Sequence, residues 1–417
     1  MNDMPFKLTR RRLLALSALP ALPSAAMAAG SAPAPASATF PRKAAFDIDG
    51  VNLNAAYTHP MSNATVQAMR AYLDGRQLNA RGKSYDIGAD RKEPLALFAR
   101  MINADPADIA WVASTMAGEN YVVNGLGLGQ PGTRGRVVTD AYHFDGSLYL
   151  YGELAKQGLD LHVVRPKNNG IDLADMDAAI TPGTTLVAVS LVSTINGFQH
   201  DLKALCKIAH ARGALVYADI IQAAGAVPID VRDTGVDFCA CSTYKWLMGD
   251  FGVGFLYARK DSLARIRRTV RGYRQLAEFD FHVFPFDPPG KEVFDFAAAP
   301  GAAGRFEVGT LGNAAVAGLG PSIRMLTELG VDRIQAWRQP LLQRLQQEMP
   351  RLGFAPMTRA DSTAPIVSFA YQDAARKLRP RLDAAGINIQ LYQHRVRISP
   401  SFYNDMGDID RLLAALA

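Results

Sequence analysis

The stretch "CSTYKWLMGDFGVGFLYARKD" (241–261) brings together a lysine, a run of glycines and, with Cys239 just upstream, two cysteines. Its ends read as strands, "DFCACS" (237–242) and "GVGFLYAR" (252–259), too closely spaced for a crossover helix and so expected to be antiparallel. Lys245 follows the first strand and precedes Trp246 and Leu247, an unusual place for a freely solvated ammonium. A lysine desolvated there has a depressed pKa suited to covalent work on carbonyl compounds. The competing reading is a snorkelling lysine or a buried ion pair. Gly249, Gly252 and Gly254 let the chain turn tightly into the next strand. Cys239 and Cys241 alternate within a strand, where packing as small hydrophobes is their expected role.

Upstream, five more strand segments alternate with helical patterns: "DIAWVAS" (108–114), "RVVTD" (136–140), "LDLHVV" (159–164), "TTLVAVSLV" (184–192) and "ALVYAD" (214–219). They lack strict polar alternation, so both faces are covered. Helical stretches such as "GSLYLYGELAKQG" and "DLKALCKIAHARG" lie between them. This pattern predicts an α/β fold around a mostly parallel, seven-stranded, doubly wound sheet. A poorly patterned segment (271–303) and a long helical region (about 313–350) follow. Strand signals in "APIVSFAY" and "RVRISPS" then point to a smaller α+β C-terminal domain. The expected boundaries are 61–310 for the large domain, and 41–60 with 311–417 for the small one.

Ligands of open α/β sheets sit at the carboxyl ends of strands. "ALVYAD" ends in Asp219, with Gln222 three residues on, and the next strand ends beside Lys245. Taken singly, Asp219 is a helix cap and Lys245 structural. Together they match an aldehyde cofactor with a pyridine ring: the lysine holds the aldehyde, and the carboxylate keeps the ring nitrogen protonated. "ASTMAGENYVVNGL" (113–126) follows the first strand and opens a helix whose N–H groups at Ala117 and Gly118 face an anion. Ser242 and Tyr244 add hydroxyls, and His143, ending the second strand, offers a flat partner for a ring. "GLGLGQPG" (125–132) has the glycines of a dinucleotide loop but follows a helix, and is read as a helix end and turn.

The N-terminus "LTRRRLLALSALPALPSAAMA" has a basic start, a short apolar stretch and an Ala26-Met27-Ala28 cleavage pattern. Arg10 and Arg11 resemble the twin-arginine export motif, so residues 1–28 are expected to be a signal peptide. Residues 29–40, rich in Ala, Pro and Ser, are expected to be a linker, and the mature enzyme periplasmic. The formal charge of +6 falls to +3 without that segment, which holds four basic residues and one acidic. This is too little to argue for nucleic acid. No later apolar run is long enough to span a bilayer. Three cysteines make neither a disulfide framework nor a zinc pattern.

These motifs resemble the class V aminotransferases of the fold-type-I pyridoxal 5'-phosphate (PLP) superfamily, which includes cysteine desulfurases and isopenicillin N epimerase-like proteins. "YADIIQAAGAVPIDV" is similar to the family's Asp-x-x-Gln segment, "CSTYKWLMGDFGVGFLYAR" to its lysine segment, and "VNLNAAYTHP", "RFEVGT" and "VRISPSFYND" to three others. The resemblance implies that Lys245 carries PLP, Asp219 pairs with the ring nitrogen, and Gln222 lies near the ring hydroxyl. His143 would stack on the ring and Ser193 contact it. Ala117, Gly118, Ser242 and Tyr244 would hold the phosphate. Thr310 would reach the phosphate of a second subunit, implying a homodimer, and Arg397 would bind a substrate α-carboxylate.

Desulfurases also carry a nucleophilic cysteine shortly before that arginine, but "GINIQLYQHRVRIS" (386–399) has none. The reading is therefore an exported enzyme acting through a Cα carbanion on an amino acid or peptide-like metabolite, of aminotransferase or epimerase type. A C–S lyase without a loop cysteine is the alternative, and a PLP-fold protein that only binds the cofactor is a further one. Tyr57, His59, Tyr85, Tyr392, Gln393 and His394 are candidate substrate-side residues.

Overall fold

All seven strand segments enter one sheet: β1 (Ile109–Val112), β2 (Arg136–Asp140), β3 (Asp160–Val164), β4 (Thr184–Ser190), β5 (Leu215–Asp219), β6 (Phe238–Ser242) and β7 (Gly254–Ala258). This is a computed structural model, and it describes residues 39–78, 87–130 and 135–417, with backbone alone for 87–90. The strands lie in the order β1-β7-β6-β5-β4-β2-β3. β2 to β6 run parallel, while β7 is antiparallel to both β6 and β1. The short link from β6 to β7 has no room for a crossover helix, so the chain reverses there.

Side-chain alternation feeds two apolar layers. Val216, Ala218, Cys239 and Cys241 face one, whereas Leu215, Tyr217, Phe238 and Ala240 face the other. Six strands are covered on both faces and read as near-continuous apolar runs, while the edge strand β3 leaves Asp160, His162 and Val163 exposed. The cysteines are packing residues on this sheet.

Helix α1 (Thr115–Gly125) follows β1, and its N-cap Ser114 accepts a bond from the Ala117 N–H at 3.1 Å. It lies so close to the sheet that a Cβ at Gly118 would stand 2.9 Å from the Ala240 Cβ. Helix α2 (Asp145–Lys156) follows β2. The helical region read as one piece is two helices, α3 (Asn313–Leu329) and α4 (Val331–Glu348), parted at Gly330 with φ of 80°. Glycine adopts that left-handed backbone without a Cβ penalty, and so interrupts the periodicity.

The segment without clear pattern forms an antiparallel hairpin, β8 (Leu276–Phe281) with β9 (Phe294–Ala298). Phe279, Phe281, Phe294 and Phe296 are all exposed on one face of it and alternate with Glu278, Asp280 and Asp295 on the other, a period-two pattern not read from the sequence. A second sheet has the order β10 (Ala355–Pro356), β11 (Val367–Ala370), β13 (Arg395–Ile398), β12 (Gln390–Leu391), antiparallel throughout. Val51–Asn52 pairs in parallel with Ile387–Asn388, which sets the 41–60 segment beside the C-terminal sheet. The described residues all fall in one compact unit, Ala38–Ala417. The expected signal peptide, most of the linker and Tyr85 lie outside the described residues. No described helix is long and apolar enough to cross a membrane.

Candidate active site

A cavity of about 520 Å³ opens where β2, β4 and β6 end, and β13 adds to its wall. Lys245, His143, Thr194, Tyr244 and Arg397 all line it. Its size falls in the usual range for small-molecule sites.

Lys245 is 7% exposed, and burial lowers its pKa from 10.5 to about 8, against the pull of Asp219. Asp219, ending the neighbouring strand β5, is fully enclosed, and burial raises its carboxyl to about 6. One of its oxygens accepts the Ile221 N–H at 2.9 Å, so the local cap and the functional carboxylate are the same group. Both charged forms are kept out of water, and each is the other's countercharge.

His143 is buried beside them. Its Nε2–H donates to Glu119 Oε1 at 3.2 Å, and Nδ1 lies 2.9 Å from Ser190 Oγ. Burial works against its charge, but Glu119, Asp219 and Asp140 outweigh this and raise its pKa. Glu119 also accepts from Ser147 Oγ at 2.6 Å and from Tyr151 Oη at 2.9 Å. This carboxylate, fully buried on α1, went unnoticed in the sequence. A glutamate on the helix face turned to an apolar sheet was the available signal.

Arg397 Nη1 donates to the Thr194 carbonyl at 3.1 Å and to Thr194 Oγ1 at 2.5 Å. Its Nε is buried with no partner among the described residues. Gln222 Nε2 reaches the same Thr194 hydroxyl at 3.1 Å and the Ala56 carbonyl at 3.0 Å, and Gln222 Oε1 accepts from Trp246 Nε1 at 2.9 Å. Thr194 thus ties the ends of β4 and β5 to the arginine, a role not read from the sequence.

Several expected contacts differ. Ser193 turns away from the cavity: its hydroxyl donates to the Tyr142 carbonyl at 2.9 Å, and Thr194 takes the facing position. The Ala117 N–H is spent on the Ser114 hydroxyl and the Gly118 N–H on the Ser114 carbonyl at 3.1 Å. Gly118 serves the tight packing of helix on sheet. Ser242 Oγ accepts the Thr115 N–H at 2.9 Å, pinning the start of α1 to β6. Tyr244 stacks on Phe251, centroids 4.3 Å apart, at the cavity wall.

His59 does not reach the cavity. Its Nδ1–H donates to the Pro60 carbonyl at 2.8 Å, its Nε2 accepts from Ser401 Oγ at 2.7 Å, and it packs among Phe46, Trp246, Phe402 and Tyr403. Thr310 is exposed away from the cavity, 3.0 Å from Tyr273 Oη. Tyr57 and Tyr392 line the cavity, but Gln393 and His394 do not. No group of acids, histidines and cysteines that could hold a metal occurs among the described residues.

Residues 51–412 match the family model described as Aminotransferase class-V. The chain belongs to the class V aminotransferase family. A protein of Methanothermobacter thermautotrophicus named "Probable cysteine desulfurase" is 31% identical over 292 residues, 69% of each chain. The fold is that of the cysteine desulfurase CsdA from Escherichia coli in its S-sulfonic acid form. The two share a TM-score of 0.77 at 22% identity, over 90% of this chain and 96% of that one. The cystine C-S lyase C-DES, in complex with cysteine persulfide, gives 0.75 at 21% identity over 88% and 97%. A variant of that lyase holds glycine covalently linked to its PLP cofactor.

The chain is therefore a class V enzyme with the fold-type-I PLP-dependent architecture, and PLP is its cofactor. The residues present fit that group. A lysine with a lowered pKa opens into a ligand-sized cavity, a buried carboxylate lies on the adjoining strand, and an unpartnered arginine nitrogen waits in the wall.

Proposed function

We propose that this enzyme breaks and remakes the Cα–H bond of an amino acid or peptide-like metabolite, in transamination or epimerisation. The observation that carries the reading is that Lys245 and Arg397 line one cavity, a proton carrier and a carboxylate anchor together. Lys245 would hold PLP, with Asp219 at the ring nitrogen and His143 beside the ring. Bound there, the cofactor supplies the sink for the electrons released at Cα.

The chain's own groups divide the remaining work. The free Nη2 and Nε edge of Arg397 offers two parallel N–H donors to an α-carboxylate, a fork that lysine cannot copy. Thr194 holds the other nitrogen and so sets the plane of that fork. Lys245, with its pKa near 8, gives up its proton close to neutrality and can take one from Cα or return it. Glu119 raises the His143 pKa and so favours its charged form, and positive charge there lowers the pKa of the adjacent Asp219.

Release of sulfur is the second reading, supported by the desulfurase and C-S lyase relatives. A persulfide on the enzyme is disfavoured. Cys206, Cys239 and Cys241 are the chain's only cysteines, all buried, and burial pushes the Cys206 thiol to about 12. The proposal includes export through the twin-arginine route and a homodimer. Cells carrying Arg10→Lys with Arg11→Lys should retain the protein in the cytoplasm, and unchanged secretion would argue against that route. For the chemistry, candidate amino acids are incubated in deuterated buffer and followed by NMR. Deuterium at Cα with keto acid indicates transamination, deuterium with loss of configuration indicates epimerisation, and sulfide with pyruvate from cysteine would replace both by lyase chemistry.

A further inference from the structure

Arg395 lies two residues before Arg397 on β13, so the two side chains leave the strand on the same face. Their neighbours Val396 and Ile398 point the other way, into the apolar cluster of the small sheet. Both arginines line the cavity that holds Lys245. The Arg395 guanidinium is stacked over the Tyr392 ring at 3.9 Å from its centroid, which fixes its plane without neutralising it. Its Nε is buried with no hydrogen-bond partner, and no described acid forms an ion pair with it. Arg395 and Arg397 also repel each other, with no carboxylate between them.

Charge on the cavity wall is one-sided. Asp219 beneath the wall answers Lys245, so Arg395 and Arg397 are left with Asp145 as the one acid lining the cavity, and Asp145 already accepts the Gly146 N–H at 2.9 Å. An α-carboxylate answers Arg397 and leaves Arg395 unanswered. Ser242 and the first turn of α1, which the family resemblance assigns to the cofactor phosphate, are not in the wall that carries the two arginines.

We infer that Arg395 is a second anion-binding side chain of this cavity, and that the substrate is an α-amino acid carrying a further carboxylate on its side chain. The inference rests on the assignment of the α-carboxylate to Arg397. It makes Arg395 a specificity residue: the guanidinium plane presented by Tyr392 matches a carboxylate edge, and an amide in its place would leave the buried donor poorly paired.

The test uses the PLP-loaded enzyme and two probe sets, L-aspartate, L-glutamate and L-2-aminoadipate against L-asparagine, L-glutamine and L-norvaline. Dissociation constants come from the change in cofactor absorbance, and Cα–H exchange in deuterated buffer is followed alongside. At least one diacid should bind on the order of tenfold or more tighter than its neutral counterpart, as a charge-assisted hydrogen bond implies. Arg395→Gln should remove that preference at wild-type PLP content, and Arg395→Lys should keep part of it.

A preference that survives Arg395→Gln, or no preference in the wild type, overturns the inference while leaving Cα chemistry intact. Loss of PLP from Arg395→Gln would place the side chain on the cofactor and also overturn it. If no probe of either set binds or exchanges, the inference and the proposed amino-acid chemistry fall together.

Discussion

Two buried histidines, some eighty residues apart in sequence, are shifted in opposite directions. His143 sits at the cavity floor with Glu119 at 3.2 Å, and nearby carboxylates raise its pKa against burial. His59 sits in a box of aromatic rings, where burial lowers its pKa from 6.5 to about 4. Both are nearly inaccessible, and both looked like site residues from their positions in the chain. Burial does not separate them. The acid beneath the first ring does, because a buried imidazolium persists only where carboxylates offset its desolvation.

The charged floor should respond most strongly to loss of its amine. Lys245→Ala should slow Cα–H exchange by about 10²–10⁴-fold, the usual worth of a positioned acid–base group, measured by NMR on the PLP-supplemented variant. Retained exchange would mean that another group carries the proton. Arg397→Lys should weaken substrate binding by on the order of tenfold through loss of the paired donors, read from the cofactor absorbance.

Glu119→Gln bears on the contrast itself. It keeps the shape but removes the charge, so the His143 titration should move down, and stability should fall by on the order of 2 kcal/mol. Histidine NMR and urea unfolding check the two. An unmoved His143 would show that Asp219 and Asp140 suffice.

His59→Phe should leave exchange almost unchanged but alter acid stability. A histidine with a depressed native pKa contributes stability above its unfolded value near 6.5 that is lost as pH falls towards about 4. That loss is on the order of 3 kcal/mol at most. Asp219, raised from 3.8 to about 6, has the opposite slope: its burial costs more as pH rises through that window. The wild type should therefore vary little between pH 4 and 6, and His59→Phe should become more stable towards the acid end. Unfolding midpoints across that range check this.

The sheet was legible because its strands, apart from the exposed edge strand β3, are apolar on both faces and alternate with helices. Lys245 and Asp219 were legible as a pair, since each ends one of two adjoining parallel strands. The floor beneath them was not. Glu119 is marked in the chain only as the one acid of its helix, and its meaning depends on His143 at the end of β2 and on Ser147 and Tyr151 of α2. Ser193 and Thr194 are neighbours of similar chemistry, and only the turn after β4 decides which one faces the cavity. His59 was misread because the aromatic rings that claim it come from positions as distant as Phe46 and Tyr403. The β8–β9 hairpin does carry alternation, with Phe279, Phe281, Phe294 and Phe296 on one face and Glu278, Asp280 and Asp295 on the other, but each run is short and went unread.

The most direct measurement is borohydride reduction of the PLP-loaded enzyme, followed by peptide mapping. The cofactor's mass should be fixed on the peptide containing Lys245 and be absent from Lys245→Ala. Label on a different lysine, or a wild-type protein that takes up PLP yet yields no labelled peptide, would contradict the charged floor as the seat of catalysis.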